Sequence, residues 1–282
     1  CVVDGKDAHP SLTESGLFLS MSPPSRMPLA PLFRTLRALT LSVAVLGAGA
    51  ASAATITVDT LDDELNGDGD CSLREAVEAA DTDAAVDGCT AGSGADTIVF
   101  DGLLAFGTVV LGQDAITVDS DLTIDGSTGA TMVSLSGSDL YRVFIVDSAS
   151  LTLTNLNLTN GRAPVGGAVL IRDGGSLTTD MVTFAGNEAT GNDATQGGGA
   201  VYLQSGSATF RNTQFTDNLA SGTSGSGGAF AMIGVGNTAS AVRSTFSGNT
   251  ANRAGGAIEN RDGTLDLVET DFDGNGAGTN PG

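Results

Sequence analysis

Lysine and histidine are almost missing from this chain. Of its 282 residues, Lys6 is the only lysine and His9 the only histidine, and both precede a segment with the features of a cleaved leader. A mature protein without them has no histidine base, no lysine nucleophile and no histidine metal ligand. Several standard hydrolase and lyase constellations are thereby excluded. Removing Lys6, Arg26, Arg34 and Arg37 from the 12 cations, and Asp4, Asp7 and Glu14 from the 33 carboxylates, leaves eight arginines and 30 acids. Nothing there builds a basic patch, so nucleic acid is excluded as a partner. The acidity keeps an exported protein soluble and draws divalent cations. Cysteine is scarce too. Only Cys71 and Cys89 follow the leader, and two cysteines in an exported chain are expected to pair as a disulfide. Two thiols without histidine make a poor zinc site.

The leader is read from Met27. Arg34 and Arg37 precede an apolar stretch from Ala38 to Ala50, and Ala51-Ser52-Ala53 is a small-x-small cleavage signal. The stretch is too short to span a membrane. This gives residues 1–26 as a start-site artefact, 27–53 as a signal peptide, 54–95 as a cap segment and 96–282 as the main domain, with no transmembrane segment in the mature chain. The first residue is Cys1, not Met, and Asn280-Pro281-Gly282 ends the chain just after a repeat motif. Together these read as a fragmentary gene product, truncated at its C-terminus.

What the chain does have is 40 glycines and a repeat. Gly-Gly-Ala followed by an apolar residue occurs at Gly166–Val169, Gly198–Val201, Gly227–Phe230 and Gly255–Ile258. It alternates with Phe-x-x-Asn at Phe184/Asn187, Phe215/Asn218, Phe246/Asn249 and Phe272/Asn275. From motif alanine to next phenylalanine the steps are 16, 15, 17 and 15 residues, and from phenylalanine to next alanine 16, 14 and 11. The near-constant arm should be a hydrogen-bonded wall. The variable arm should carry surface loops, Ala189–Gln196, Leu219–Ser226 and Thr250–Ala254. Short β-branched runs such as Ala168–Ile171, Val201–Leu203, Ser207–Phe210 and Leu265–Val268 are strands. A fixed period with several short strands per repeat predicts an all-β fold, a right-handed parallel β-helix with a short N-terminal capping helix. The motif phenylalanines should stack inside it from rung to rung. The asparagines should form a corner ladder, and the glycines should provide corners with φ > 0 or close backbone approach. Residues beside each phenylalanine, such as Gln214/Thr216 and Asp271/Asp273, should face out.

Upstream, Thr55–Asp59, Asp96–Phe100, Gly107–Leu111, Ala115–Val118, Asp121–Asp125, Tyr141–Val146 and Leu151–Leu158 read as further strands. Between the first two lies an acidic stretch followed by Ser72-x-x-Glu75, a capping box that starts a helix running to about Ala80. That helix would cover the first rung, whose core and strand edge are otherwise open. Glu64, Asn66, Asp68, Gly69 and Glu75, with Asp70 between them, also follow the spacing of a calcium loop, so calcium is the one candidate cofactor. The competing reading is a plain acidic turn beside a capping box, since Glu75 cannot easily cap and chelate at once.

Cys71-Ser72-Leu73-Arg74-Glu75-Ala76, continued by Ala95–Phe100, resembles the CSLREA domain, an N-terminal module of secreted bacterial repeat proteins. The paired glycine and phenylalanine motifs resemble those of chlamydial polymorphic outer membrane proteins, with Phe230 departing from the usual aliphatic residue. That resemblance implies a β-helix passenger domain, adhesin-like and exported to the outer membrane or beyond. Its partner would be a surface glycan or protein, bound through the stacked loops. The alternative is a polysaccharide lyase or glycoside hydrolase on the same fold. Asp271 and Asp273 have the spacing of a hydrolytic carboxylate pair, but the pattern also suits a solvated wall.

Overall fold

The computed structural model describes residues 52–129 and 131–278. Residues 1–51, read above as start-site artefact and leader, and residues 279–282 lie outside the described residues.

Over the described residues the chain winds into a parallel β-solenoid of about 6 turns with a single short α-helix. Each turn lays strands on up to three walls. The long wall runs from Thr55–Val58 through Asp96–Phe100, Leu122–Asp125, Ser150–Thr159, Gly175–Ala185, Gly206–Arg211 and Thr238–Val242 to Thr264–Val268. The first strand pairs in parallel with Asp96–Phe100, so the wall begins inside the segment assigned to the cap. The phenylalanine strands Gln214–Thr216, Thr245–Ser247 and Asp271–Asp273 continue this wall beside the second half of Gly175–Ala185. A six-stranded wall holds the residues after each Gly-Gly-Ala: Val169–Arg172, Val201–Leu203, Phe230–Ile233 and Ile258–Arg261 follow Ile116–Val118 and Phe144–Asp147. The only antiparallel pair among the described strands is a small hairpin, Ser127–Thr128 with Thr131–Ser136.

The third wall corrects the sequence reading. Ala189, Leu219–Ala220 and Thr250–Ala251, expected to be loop, lie in two-residue strands of a five-stranded parallel sheet with Arg162–Ala163 and Gly276–Ala277. Two residues are too few to show an alternating pattern, and alanine has little strand preference. Ala189, Ala220 and Ala251 are nonetheless buried.

The repeat motifs hold the interior. Phe184, Phe215, Phe246 and Phe272 align in register. Their rings stack face to face with centroids 4.9, 4.5 and 5.0 Å apart, and Phe210 meets Phe215 edge-on at 5.0 Å. Beside them runs an amide ladder. The Nδ2 of Asn187, Asn218 and Asn249 each donates to Oδ1 of the next asparagine at 2.9 Å. Their backbone N–H groups donate to the same oxygens at 3.0 Å. The two glycines of each motif do different work. Gly166, Gly198, Gly227 and Gly255 have φ of 54, 64, 66 and 60°, where a side chain is strained. At Gly167, Gly199 and Gly228 a Cβ would overlap the carbonyl oxygen of the next turn.

The long wall bends three residues before each motif phenylalanine and before Leu158, which pairs with Phe184. Asn155, Met181, Asn212, Arg243 and Glu269 occupy this bend with φ between 46 and 54°. Asparagine tolerates such a conformation best among non-glycine residues. Met181→Asn should therefore stabilise the protein by about 1 kcal/mol, because the half-exposed Met181 side chain contributes little packing. Urea unfolding checks this, and an unchanged or lower midpoint would reject it.

The cap helix spans Leu73–Thr82 and presses Leu73, Ala76, Val77, Ala79 and Ala80 into the core. Ser72 and Glu75 form the expected capping box. Cys71 and Cys89, 18 residues apart, are disulfide-bonded, pinning the start of the helix to the segment after it. The closed loop contributes about 3 kcal/mol on a chain-entropy model.

Candidate functional site

On the six-stranded wall, side chains alternate in and out. Val169, Ile171, Val201, Leu203, Phe230 and Met232 point into the solenoid core. Leu170, Tyr202 and Ala231 point the other way, yet all three are buried and form a second apolar cluster with Ile145, Val165 and Ile233. Their cover is the polar loop that follows Ala189. The Tyr202 hydroxyl donates to the Thr195 carbonyl at 2.7 Å. Arg253 and Arg261 both donate to the Ala194 carbonyl, at 3.0 and 3.1 Å. Neighbouring loops are linked as well: Thr223 N–H donates to Asn192 Oδ1 at 3.0 Å, and Arg253 Nε to the Ser224 carbonyl at 3.1 Å. The loops form a bonded outer layer folded over one wall. Sequence reasoning missed this layer. Its one signal was Leu170 and Tyr202 at outward positions where a solvated wall should be polar.

Beside this cover the wall is open, and a groove of about 610 Å³ runs there. Asp114, Asp139, Tyr141, Arg142, Ile145 and Arg162 line it. Arg142 donates Nε and Nη2 to the Gly166 and Val165 carbonyls at 2.9 and 2.8 Å. Among the described residues it has no carboxylate within ion-pair distance. Burial, reinforced by Arg172, lowers its pKa to about 10, so it remains a cation at neutral pH. Arg162 is paired with Glu188 at 3.0 Å. The groove thus offers guanidinium donors, carboxylate acceptors and an apolar strip within one cleft. That combination suits a partner with many hydroxyl or amide groups and an apolar face.

The acidic loop lies against the cap helix, at the opposite end of the chain from the last repeat. The Oε1 of Glu75 accepts the Asn66 N–H at 3.0 Å and Oε2 accepts the Ser72 N–H at 3.0 Å. The side chain of Asn66 donates to Glu64 and Asp68 at 2.6 and 3.2 Å. Asp87, not anticipated from the sequence, reaches the same loop and accepts the Asp68 and Gly69 N–H groups at 3.2 and 2.7 Å. Burial and then neighbouring carboxylates, Asp68 foremost, push the pKa values of Glu64 and Asp70 up.

Asp271 and Asp273 are exposed on the last described turn. They are not among the groove's lining residues and flank Phe272, which is itself half exposed. Among the described residues no helix is long and apolar enough to cross a membrane.

Residues 243–261 match the family model of the Chlamydia polymorphic membrane protein repeat. This stretch holds Phe246, Asn249 and Gly255-Gly256-Ala257-Ile258, one phenylalanine motif and one glycine motif. This stretch is therefore similar to that repeat, and the two motifs it holds recur through the solenoid. No curated protein matches the chain.

Proposed function

We propose that this protein is an exported surface β-helix that binds a glycan or protein partner and does not transform it. The repeat match and the solenoid fit a surface β-helix protein. We assign residues 27–53 as its secretion signal and the CSLREA-like segment as its cap. The observation that carries the binding reading is the groove beside the loop cover, with a cationic Arg142 that has no carboxylate partner among the described residues. A partner seated there would also touch the loop edge through Thr190, which lines the same groove. The lyase or hydrolase alternative draws on the same groove, where Asp114 and Asp139 meet Arg142 and Arg162, so binding and turnover are separated by experiment.

Asp114 and Asp139 are exposed groove residues and Asp139 has φ 58°, which asparagine tolerates, so the double substitution Asp114→Lys/Asp139→Asn should fold normally. On a glycan array and on intact cells, affinity for the captured partner should fall by about tenfold or more, with Tm unchanged. Undiminished binding would reject the groove as the contact surface. Turnover of a polysaccharide by the wild-type chain would move the protein to the enzyme class.

A further inference from the structure

The cap segment concentrates acid without compensating it. Glu64, Asp68 and Asp70 can place carboxylate oxygens within 4.8 Å of one another, and so can Asp70, Glu75 and Asp87. Asp70 belongs to both sets. None of the five forms an ion pair among the described residues. The nearest arginine in sequence, Arg74, is engaged in a two-point pair with Asp63 at 2.8 and 3.0 Å.

A group of surface acids alone would be unremarkable, since water solvates them. Two facts separate this group from that case. Glu75 is completely buried, and only two backbone N–H groups compensate its charge. Asp70 Oδ1 is sealed from solvent and has no hydrogen-bond partner. A buried carboxylate oxygen with nothing to accept from is costly unless a cation meets it. We propose that Asp70, Glu75 and Asp87 hold a calcium ion, with Glu64 and Asp68 adding negative charge beside it.

The choice of ion follows from distance and ligand type. Two oxygens bound to one calcium at about 2.4 Å can lie up to about 4.8 Å apart, whereas magnesium at about 2.1 Å draws them closer and demands octahedral order. The ligands here are all oxygen and come from three pieces of chain: the acidic loop, the first turn of the helix and the segment after the helix. Asp87 already grips the acidic loop through the Asp68 and Gly69 N–H groups. The ion would clamp the chain on either side of the helix, the two sides that the Cys71–Cys89 bond also joins. Capping and chelation by Glu75 are then compatible, because each of its oxygens accepts only one hydrogen bond and keeps a lone pair.

The test uses the full chain with its disulfide intact, in physiological salt so that general screening is constant. Calcium chloride at saturating concentration should raise Tm by about 5 °C or more over the same sample in EDTA. Calorimetry should show one site. Asp70→Asn should weaken calcium binding at least tenfold without lowering Tm in EDTA, and Asp87→Asn, at an exposed position, provides the same reading if Asp70→Asn fails to fold. No heat and no shift in folded wild-type protein would overturn the proposal. So would an equal shift with magnesium, or a calcium response in both variants equal to that of the wild type.

Discussion

Phe215→Ala should lower the unfolding free energy by about 3–5 kcal/mol, the largest loss expected of any single ring in the stack. Phe215 is the only motif phenylalanine flanked on both faces and met edge-on, by Phe184, Phe246 and Phe210. Truncation leaves a cavity with a ring on three sides. The surrounding backbone is pinned by hydrogen bonds to the turns above and below, so it cannot collapse into the space. Phe272→Ala is the internal control. That ring stacks on one side only and is half exposed, so its loss should be less than half as large. Denaturant unfolding of the two variants decides the matter: equal losses would mean that the stack adds nothing beyond area burial.

Asn218→Ala is the second large loss, at about 3–4 kcal/mol, although it removes few atoms. The Asn218 side chain accepts from both Asn187 N–H groups, backbone and amide, and donates to the Phe184 carbonyl and to Asn249 Oδ1. All of this is buried. Alanine leaves the backbone N–H of Asn187 without an acceptor where water cannot replace it. Asn218→Asp separates hydrogen bonding from volume. Aspartate has nearly the same shape but turns an oxygen toward two acceptors, and should be worse than alanine. An aspartate variant more stable than the alanine variant would show that the ladder acts by filling space alone.

How much of this was readable in the sequence depends on how long each signal is. The phenylalanine and asparagine motifs recur because every turn places the same demand on the same position, so four copies spell out one constraint. The glycine pair was legible as a corner. Only the coordinates divide its roles, with positive φ at Gly198 and close approach at Gly199. The five-stranded wall was not legible, because Leu219–Ala220 is two residues long and its burial comes from neighbouring turns. The loop cover over Tyr202 and the groove at Arg142 arise from residues far apart in sequence. Arg253 and Ala194, for example, are 59 positions apart. No local pattern encodes such a meeting. In the cap, spacing pointed to Glu64, Asn66, Asp68 and Glu75, whereas Asp87 reaches them only because the helix turns the chain back.

The pairing between turns has a mechanical consequence. Every wall is held by strand-to-strand hydrogen bonds that run along the axis of the coil, and the ring stack and amide ladder run the same way. A load applied between the ends therefore pulls on these contacts in series. The terminal turn should yield before its neighbours, and the coil should lengthen by unwinding in steps. Successive ladder asparagines are 31 or 26 residues apart. Each step then releases about 90–110 Å of extended chain. Held at a surface by one end, such a coil could absorb repeated tugs by losing single turns while the remainder keeps its shape.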